Sequence, residues 1–208
     1  MVYQYIERTA IPAWGPQQSE PLLAAGTVAG AMDATFSNTS SLELFRLSAS
    51  EDTAALEAVG KATASARFQR LAWSGKVESG SLGVLAGGLE NGDITVWDPA
   101  KILSGEDEAA VLHSSAAHTG AVGGLEFNPF QANLMASGAG NGEVFIWDIV
   151  SEFKSYSPGA RSQRIENVTD LSWNNQVQHI LATASDTGAL VVWDLRSRRE
   201  VIALNGPG

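Results

Sequence analysis

Three stretches of this chain repeat one another in register: VLAGGLENGDITVWD at 84–98, LMASGAGNGEVFIWD at 134–148 and ILATASDTGALVVWD at 180–194. Each opens on an apolar run that passes into small residues, crosses a turn, continues as a β-rich run and ends on Trp-Asp. The tryptophans at 97, 147 and 193 are spaced 50 and 46 residues apart. A lone Trp-Asp pair carries no information, but three in one frame impose a repeat on the whole chain. A unit this short cannot bury an apolar face alone, so neighbouring units have to stack.

A period of about 40–45 residues that closes on Trp-Asp is similar to the WD repeat, in which each unit contributes a four-stranded propeller blade. The other strands of the unit can be aligned on it. Thr9-Ala10-Ile11-Pro12-Ala13-Trp14, Arg70-Leu71-Ala72-Trp73-Ser74, Leu125-Glu126-Phe127-Asn128-Pro129 and Leu171-Ser172-Trp173-Asn174 each place an apolar residue and an aromatic either side of a small or polar one, as a half-buried inner strand requires. Leu22 to Thr27 matches the small-residue strand of the three repeats, and Phe45-Arg46 stands where Trp-Asp stands. The chain therefore reads as four repeats, the first degenerate, over 8–47, 66–98, 118–148 and 165–194. Residues 195–208 read as the start of a further blade, with an outer strand from Glu200 to Leu204. An unclosed set of four would expose a blade face at each end, so a fragment of a longer propeller is the expectation. A short strand over 1–7, an insertion over 28–38, a strand with a long loop in 50–66 and looser segments at 99–115 and 151–164 complete the reading.

Asn91-Gly92 and Asn141-Gly142 fall between β-like runs, the strongest short-range hairpin signal, because both residue types tolerate φ > 0. Asp186-Thr187-Gly188 does the same work less ideally. Many WD repeats bond an Asp in this turn to a His in the loop before the inner strand. Here His118, in AHTGAV, lies in that loop, and its repeat offers Ser137, Asn141 and Trp147. Asp186 has no matching His.

Chemistry is sparse. Asp98, Asp148 and Asp194 recur once per repeat, and recurrence marks a structural group, since a catalytic one is needed once. Trp97, Trp147 and Trp193 read as packing residues. His113, His118 and His179 lack metal-ligand spacing, and there is no cysteine to help them. The glycines of Gly87-Gly88 and Gly138-Ala139-Gly140 precede strands, so they offer no helix N-terminus to a phosphate. No Gly-x-Ser-x-Gly elbow is present. Catalytic, cofactor and metal residues are all expected to be absent. A net charge of −10 argues against nucleic acid and against direct docking on anionic lipid. No run approaches the ~18 apolar residues of a membrane span, and MVYQYIERTAIPAW has no secretory pattern. Glu106-Asp107-Glu108 reads as a solvated loop, and Arg196, Arg198 and Arg199 as a charged strand edge.

Beyond the generic repeat, RTAIPAW at 8–14, PLLAAGTVAGAMDATFS at 21–37, LELFRL at 42–47, GVLAGGLENGDITVWDPAKILSG at 83–105, HTGAVGGLEFNPFQANLMASGAGNGEVFIWDI at 118–149 and LSWNNQVQHILATASDTGALVVWDL at 171–195 resemble one family. It is the larger outer-layer subunit of the COPII vesicle coat, fungal type, in its N-terminal propeller. The resemblance implies an all-β fold, with about four blades present of a seven-bladed ring. It implies a structural scaffold without enzymatic activity, acting in export from the endoplasmic reticulum to the Golgi. Its implied partners are the small WD-repeat outer-coat subunit, further copies at cage vertices and the inner coat. Its implied location is cytoplasmic, peripheral on endoplasmic reticulum and vesicles. A WD-repeat adaptor of another complex, such as a ubiquitin-ligase substrate receptor, is the alternative.

Overall fold

The computed structural model describes residues 9–16, 21–29, 40–47, 56–75 and 82–206. The strand expected over 1–7 and most of the insertion at 28–38 lie outside them. The described residues form four antiparallel sheets of four strands, each a simple meander. The first takes β1 (Thr9–Trp14), β2 (Leu22–Ala29), β3 (Ser40–Arg46) and β4 (Ala58–Ala64). The second takes β5 (Phe68–Trp73), β6 (Leu85–Leu89), β7 (Ile94–Trp97) and β8 (Val111–Ser115). The third takes β9 (Val122–Phe127), β10 (Leu134–Ala139), β11 (Val144–Asp148) and β12 (Lys154–Tyr156). The fourth takes β13 (Val168–Trp173), β14 (Ile180–Ser185), β15 (Leu190–Asp194) and β16 (Arg199–Leu204). The all-β, four-blade expectation holds.

Sequence repeats and sheets are offset by one strand. Counted from Trp-Asp, residues 195–208 open a further unit. In space β16 pairs Leu204 with Leu190 and Arg199 with Asp194, and so supplies the outer strand of the fourth sheet. Phe45 faces Leu23 as Trp147 faces Met135 and Trp193 faces Leu181, which puts it at the tryptophan register position.

The inner strands break the strict alternation of a strand for a definable reason. In β13 the buried residues are Val168, Leu171 and Trp173, a spacing of three and then two. A register shift between Val168 and Asp170 absorbs the extra residue and returns Leu171 to the buried face. β9 also departs from alternation, burying Val122, Gly124, Leu125 and Phe127, with its own shift opposite Gly138/Ala139.

The chain divides into two compact units, residues 1–87 with 95–114 and residues 88–94 with 115–208. In the first unit Phe68 is fully buried and packs 5.8 Å from the Trp97 ring. A Cβ at Gly26 or Gly87 would come within 2.7 Å of its ring, so this aromatic fits only between two side chains that end at hydrogen. Two short helices, α1 (Pro99–Leu103) and α2 (Asp107–Ala110), stand where the sequence reads as a loop. Asp98 caps α1 through its side chain, and Pro99 occupies the first turn, where its missing N–H costs nothing. Asp107 is not simply solvated: its carboxylate accepts from Thr63 N at 3.0 Å and Thr63 Oγ1 at 2.9 Å, tying α2 to β4.

In the second unit one apolar core joins the third and fourth sheets. It contains Ala136, Val144, Ile146, Ile165, Val168, Leu171, Trp173, Leu181, Val191 and Trp193. Polar anchors frame it. Trp173 donates from its backbone N to Glu126 Oε2 at 2.6 Å and from Nε1 to Glu126 O at 3.2 Å. Asn128 donates from Nδ2 to the Gln178 carbonyl at 2.8 Å.

Candidate functional site

The sequence-marked residues gather into three recurring devices rather than one pocket. The first is the tryptophan and what its indole N–H meets. Trp97, Trp147 and Trp193 are 0%, 1% and 2% exposed. Trp147 Nε1 donates to Ser137 Oγ at 2.7 Å, and Trp193 Nε1 to Thr183 Oγ1 at 3.0 Å. Ser137 and Thr183 hold the same register place, opposite Phe145 and Val191. The second repeat has Gly87 there, because Phe68 fills the space, and Trp97 Nε1 is buried without a partner.

In the third repeat the network extends. His118 Nε2 lies 2.7 Å from Ser137 Oγ, and His118 Nδ1 lies 3.2 Å from Glu143 Oε2. Burial holds the His118 pKa below its ordinary value, against the pull of Glu143. The ring is therefore neutral at pH 7. One proton arrangement then satisfies every atom: Trp147 Nε1–H to Ser137 Oγ, the Ser137 hydroxyl to His118 Nε2, and Nδ1–H to the Glu143 carboxylate. Burial pushes the Glu143 pKa up, but its hydrogen bonds from Thr119 and His118 outweigh that and leave it lowered. Thr119 donates to it from N at 2.9 Å and from Oγ1 at 2.7 Å. Asn141, the turn residue the sequence offers to His118, instead donates from Nδ2 to Thr119 Oγ1 at 2.9 Å.

The second device is the aspartate. Asp98 Oδ1 accepts from Ala100 N at 2.9 Å, Asp148 Oδ1 from Val150 N at 3.1 Å and Ser151 N at 3.2 Å, and Asp194 Oδ1 from Arg196 N at 2.9 Å. Each carboxylate binds the backbone it precedes, as a helix cap or an Asx turn.

The third device is the hairpin glycine. The hairpins are three-residue loops rather than two-residue turns, closed by Leu89 N to Asp93 O, Ala139 N to Glu143 O and Ser185 N to Ala189 O. In the first only Gly92 is left-handed (φ 91°), while Asn141 (φ 58°) and Gly142 (φ 65°) both are. A Cβ at Gly92 would overlap the His118 carbonyl, and one at Gly142 the Ile165 carbonyl. Each glycine thus turns its hairpin and seats the loop that leads into the next inner strand. Gly142 N also donates to the Glu166 carbonyl.

Several residues of these devices escape a reading tied to Trp-Asp. Glu143 follows the hairpin glycine as Asp93 does, which was its one signal. Asn128 and Asn174 close inner strands 46 residues apart, the spacing of Trp147 and Trp193. Asn128 Oδ1 caps Phe130 N and Gln131 N, and Asn174 Oδ1 caps Gln176 N and Val177 N. Among the described residues no group of three His, Asp or Glu side chains is placed to hold a metal ion.

Meandering four-stranded sheets with Phe45, Trp97, Trp147 and Trp193 on their third strands, and with Gly92 and Gly142 seating the loops that follow, define the WD-repeat fold: four blades of an incomplete β-propeller. The family described as "WD domain, G-beta repeat" matches residues 110–148, the span of β8 to β11. Over nearly its whole length the chain is similar to Sec31 proteins. It is 50% identical to "Protein transport protein SEC31" of Mycosarcoma maydis over 98% of this chain and 15% of that protein. It is 42% identical to "Protein transport protein Sec31A" of Homo sapiens over 99% of this chain and 17% of that protein. The chain thus spans about one sixth of the length of the curated relatives it matches. A chain of the solved structure "COPII on membranes, outer coat vertex" superposes with a TM-score of 0.75 at 32% identity, covering 95% of this chain and 50% of that one.

Proposed function

We propose that this chain is a structural scaffold segment of the COPII outer coat, acting in protein transport from the endoplasmic reticulum to the Golgi. The observation that carries the reading is the agreement of sequence and shape along one segment, at 50% identity to a Sec31 and a TM-score of 0.75 to an outer-coat chain. The devices described above support it, since the recurrent carboxylates of Asp98, Asp148 and Asp194 and the indoles of Trp147 and Trp193 are spent on holding strands and turns. The mechanism is geometric. Rigid sheets present loops to other coat subunits, and individually weak contacts add through multivalency. The partners are the other coat components, namely the small WD-repeat outer-coat subunit, further copies of the larger subunit and the inner coat. Membrane association is indirect and peripheral, through those partners, on the cytosolic face. The chain carries out no catalysis.

The test is incorporation. The purified chain is added to coat components assembling on liposomes, and its co-flotation with the coat is measured. Co-flotation that depends on the outer coat and saturates supports the proposal. A chain that stays with the soluble fraction at every concentration, while intact coat floats, sinks it. Recovery of ubiquitin-ligase scaffolds rather than coat subunits on the immobilised chain would point to the adaptor reading instead.

A further inference from the structure

The chain holds 13 Lys and Arg against a net charge of −10. Four of those cations line one open groove of about 600 Å³ in the second unit: Arg161, Arg164, Arg198 and Arg199. Glu200 is the one carboxylate among its lining residues, paired with Arg164 at 3.6 Å from Nε. The groove is thus locally positive by three charges on a strongly negative chain. Arg161 and Arg199 have no carboxylate partner among the described residues.

The backbone builds this groove. The loop leaving β12 rests on the turn between β15 and β16: a Cβ at Gly159 would lie 2.9 Å from the Arg198 carbonyl oxygen and 3.1 Å from Arg199 Cα. Pro158 and Ser162 in this loop are buried, and Arg164 N donates to Ser162 Oγ at 3.3 Å. Arg198 takes a left-handed backbone (φ 51°), and its guanidinium lies 6.0 Å from the centre of the Tyr156 ring. Two segments distant in sequence are thereby held together, with their arginines converging. A second groove of about 610 Å³ continues from the shared residues Arg161, Ser162 and Gln163 to Asn141 and Asn167. Glu166 also lines it. Together the two grooves are lined by four arginines, the carboxylates of Glu166 and Glu200 and the amides of Asn141, Gln163 and Asn167.

We propose that this surface docks an extended acidic segment of a protein partner, with carboxylates among the four arginines and polar residues along Asn141 and Asn167. Arginine forks bind carboxylates with two parallel hydrogen bonds. A narrow segment suits the charge distribution, because the Debye length of about 8 Å at physiological salt confines attraction to the groove. An extended anionic surface, by contrast, meets the repulsion of the rest of the chain. The proposal stands independently of the coat assignment.

The experiment is fluorescence anisotropy of the 208-residue chain with a labelled peptide that begins Glu-Asp-Glu-Asp and continues in Ser and Gln. The expected result is salt-sensitive binding that weakens at least about tenfold in the Arg161→Gln/Arg199→Gln double variant. The Lys101→Gln/Lys154→Gln double variant, which removes the same charge elsewhere, stays within about twofold. Arg161→Lys/Arg199→Lys falls between, since it keeps charge and loses the fork. Thermal melts establish that each variant is folded. Absence of binding at low salt, equal loss in both Gln double variants, or tighter binding to phosphatidylserine vesicles or an oligonucleotide than to the peptide overturns the proposal.

Discussion

Replacing Ser137 with Ala removes one oxygen that serves two buried partners. Trp147 Nε1 donates to it at 2.7 Å, and it reaches His118 Nε2 at 2.7 Å. Ser137 is 0% exposed, so water cannot take over either bond. A buried polar atom left unpaired costs about 1–3 kcal/mol. Two of them set the expected loss at about 2–4 kcal/mol, below the simple sum because the His118 ring can relax toward Glu143. The fold already tolerates one such orphan at Trp97 Nε1, so the variant should remain folded. Urea unfolding followed by tryptophan emission gives the difference from the midpoint at constant slope. Ser137→Thr is the control, since Thr183 occupies the same place under Trp193, and it should cost less than about 1 kcal/mol. A loss in Ser137→Ala under about 0.5 kcal/mol, or equal losses in Ala and Thr, would refute the claim that this hydroxyl joins the two rings.

The depressed His118 pKa makes stability pH-dependent. The unfolded chain takes up its proton near 6.5 and the folded chain only at lower pH, so stability should fall as pH drops below 6.5 and level off past the folded value. The unfolding midpoint between pH 8 and 5 measures this, and the slope should vanish in His118→Asn. Glu126 has the opposite sign: burial raises its pKa, so its contribution declines as pH rises above 4.5. Glu126→Gln keeps an acceptor for Trp173 N and should be neutral or stabilising by up to about 1 kcal/mol at pH 7, read as the midpoint difference between pH 4 and 7. Gly142→Ala should cost more than Gly188→Ala. Both are left-handed, which alone costs about 1–2 kcal/mol, but a Cβ at Gly142 also overlaps the Ile165 carbonyl, whereas at Gly188 the nearest atom is 3.8 Å away. Equal melting temperatures for the two variants would argue against the seating role of Gly142.

How much could be read beforehand follows from what is local. Trp-Asp, the small-residue strand and Phe45 are legible because register repeats along the chain, and a repeat needs no tertiary information. The helix at Pro99 was readable in principle from Asp98-Pro99, a cap followed by a residue that favours the first turn. Its single turn leaves no period, so it passes for a loop. Ser137 and Trp147 stand in the repeat of His118, and their joint bond was within reach. Glu143 was not, because attention falls on the turn itself and the acid sits one residue beyond it. The arginine groove was invisible, since Arg161 and Arg199 converge only through a glycine contact with a turn almost forty residues away.

The one-strand offset between repeat and sheet has a consequence for how such a chain can grow. A duplication in phase with Trp-Asp would copy an outer strand together with the three inner strands that follow it. Inserted after Asp194, the copy would first hand its outer strand to β15, in the place β16 holds now, and only then begin a sheet of its own. New material would be stitched into old by a hydrogen-bonded ladder before it had any core. Each unit is thus bound to its predecessor by backbone as well as by packing, and lengthening the chain never requires an independent domain to be added.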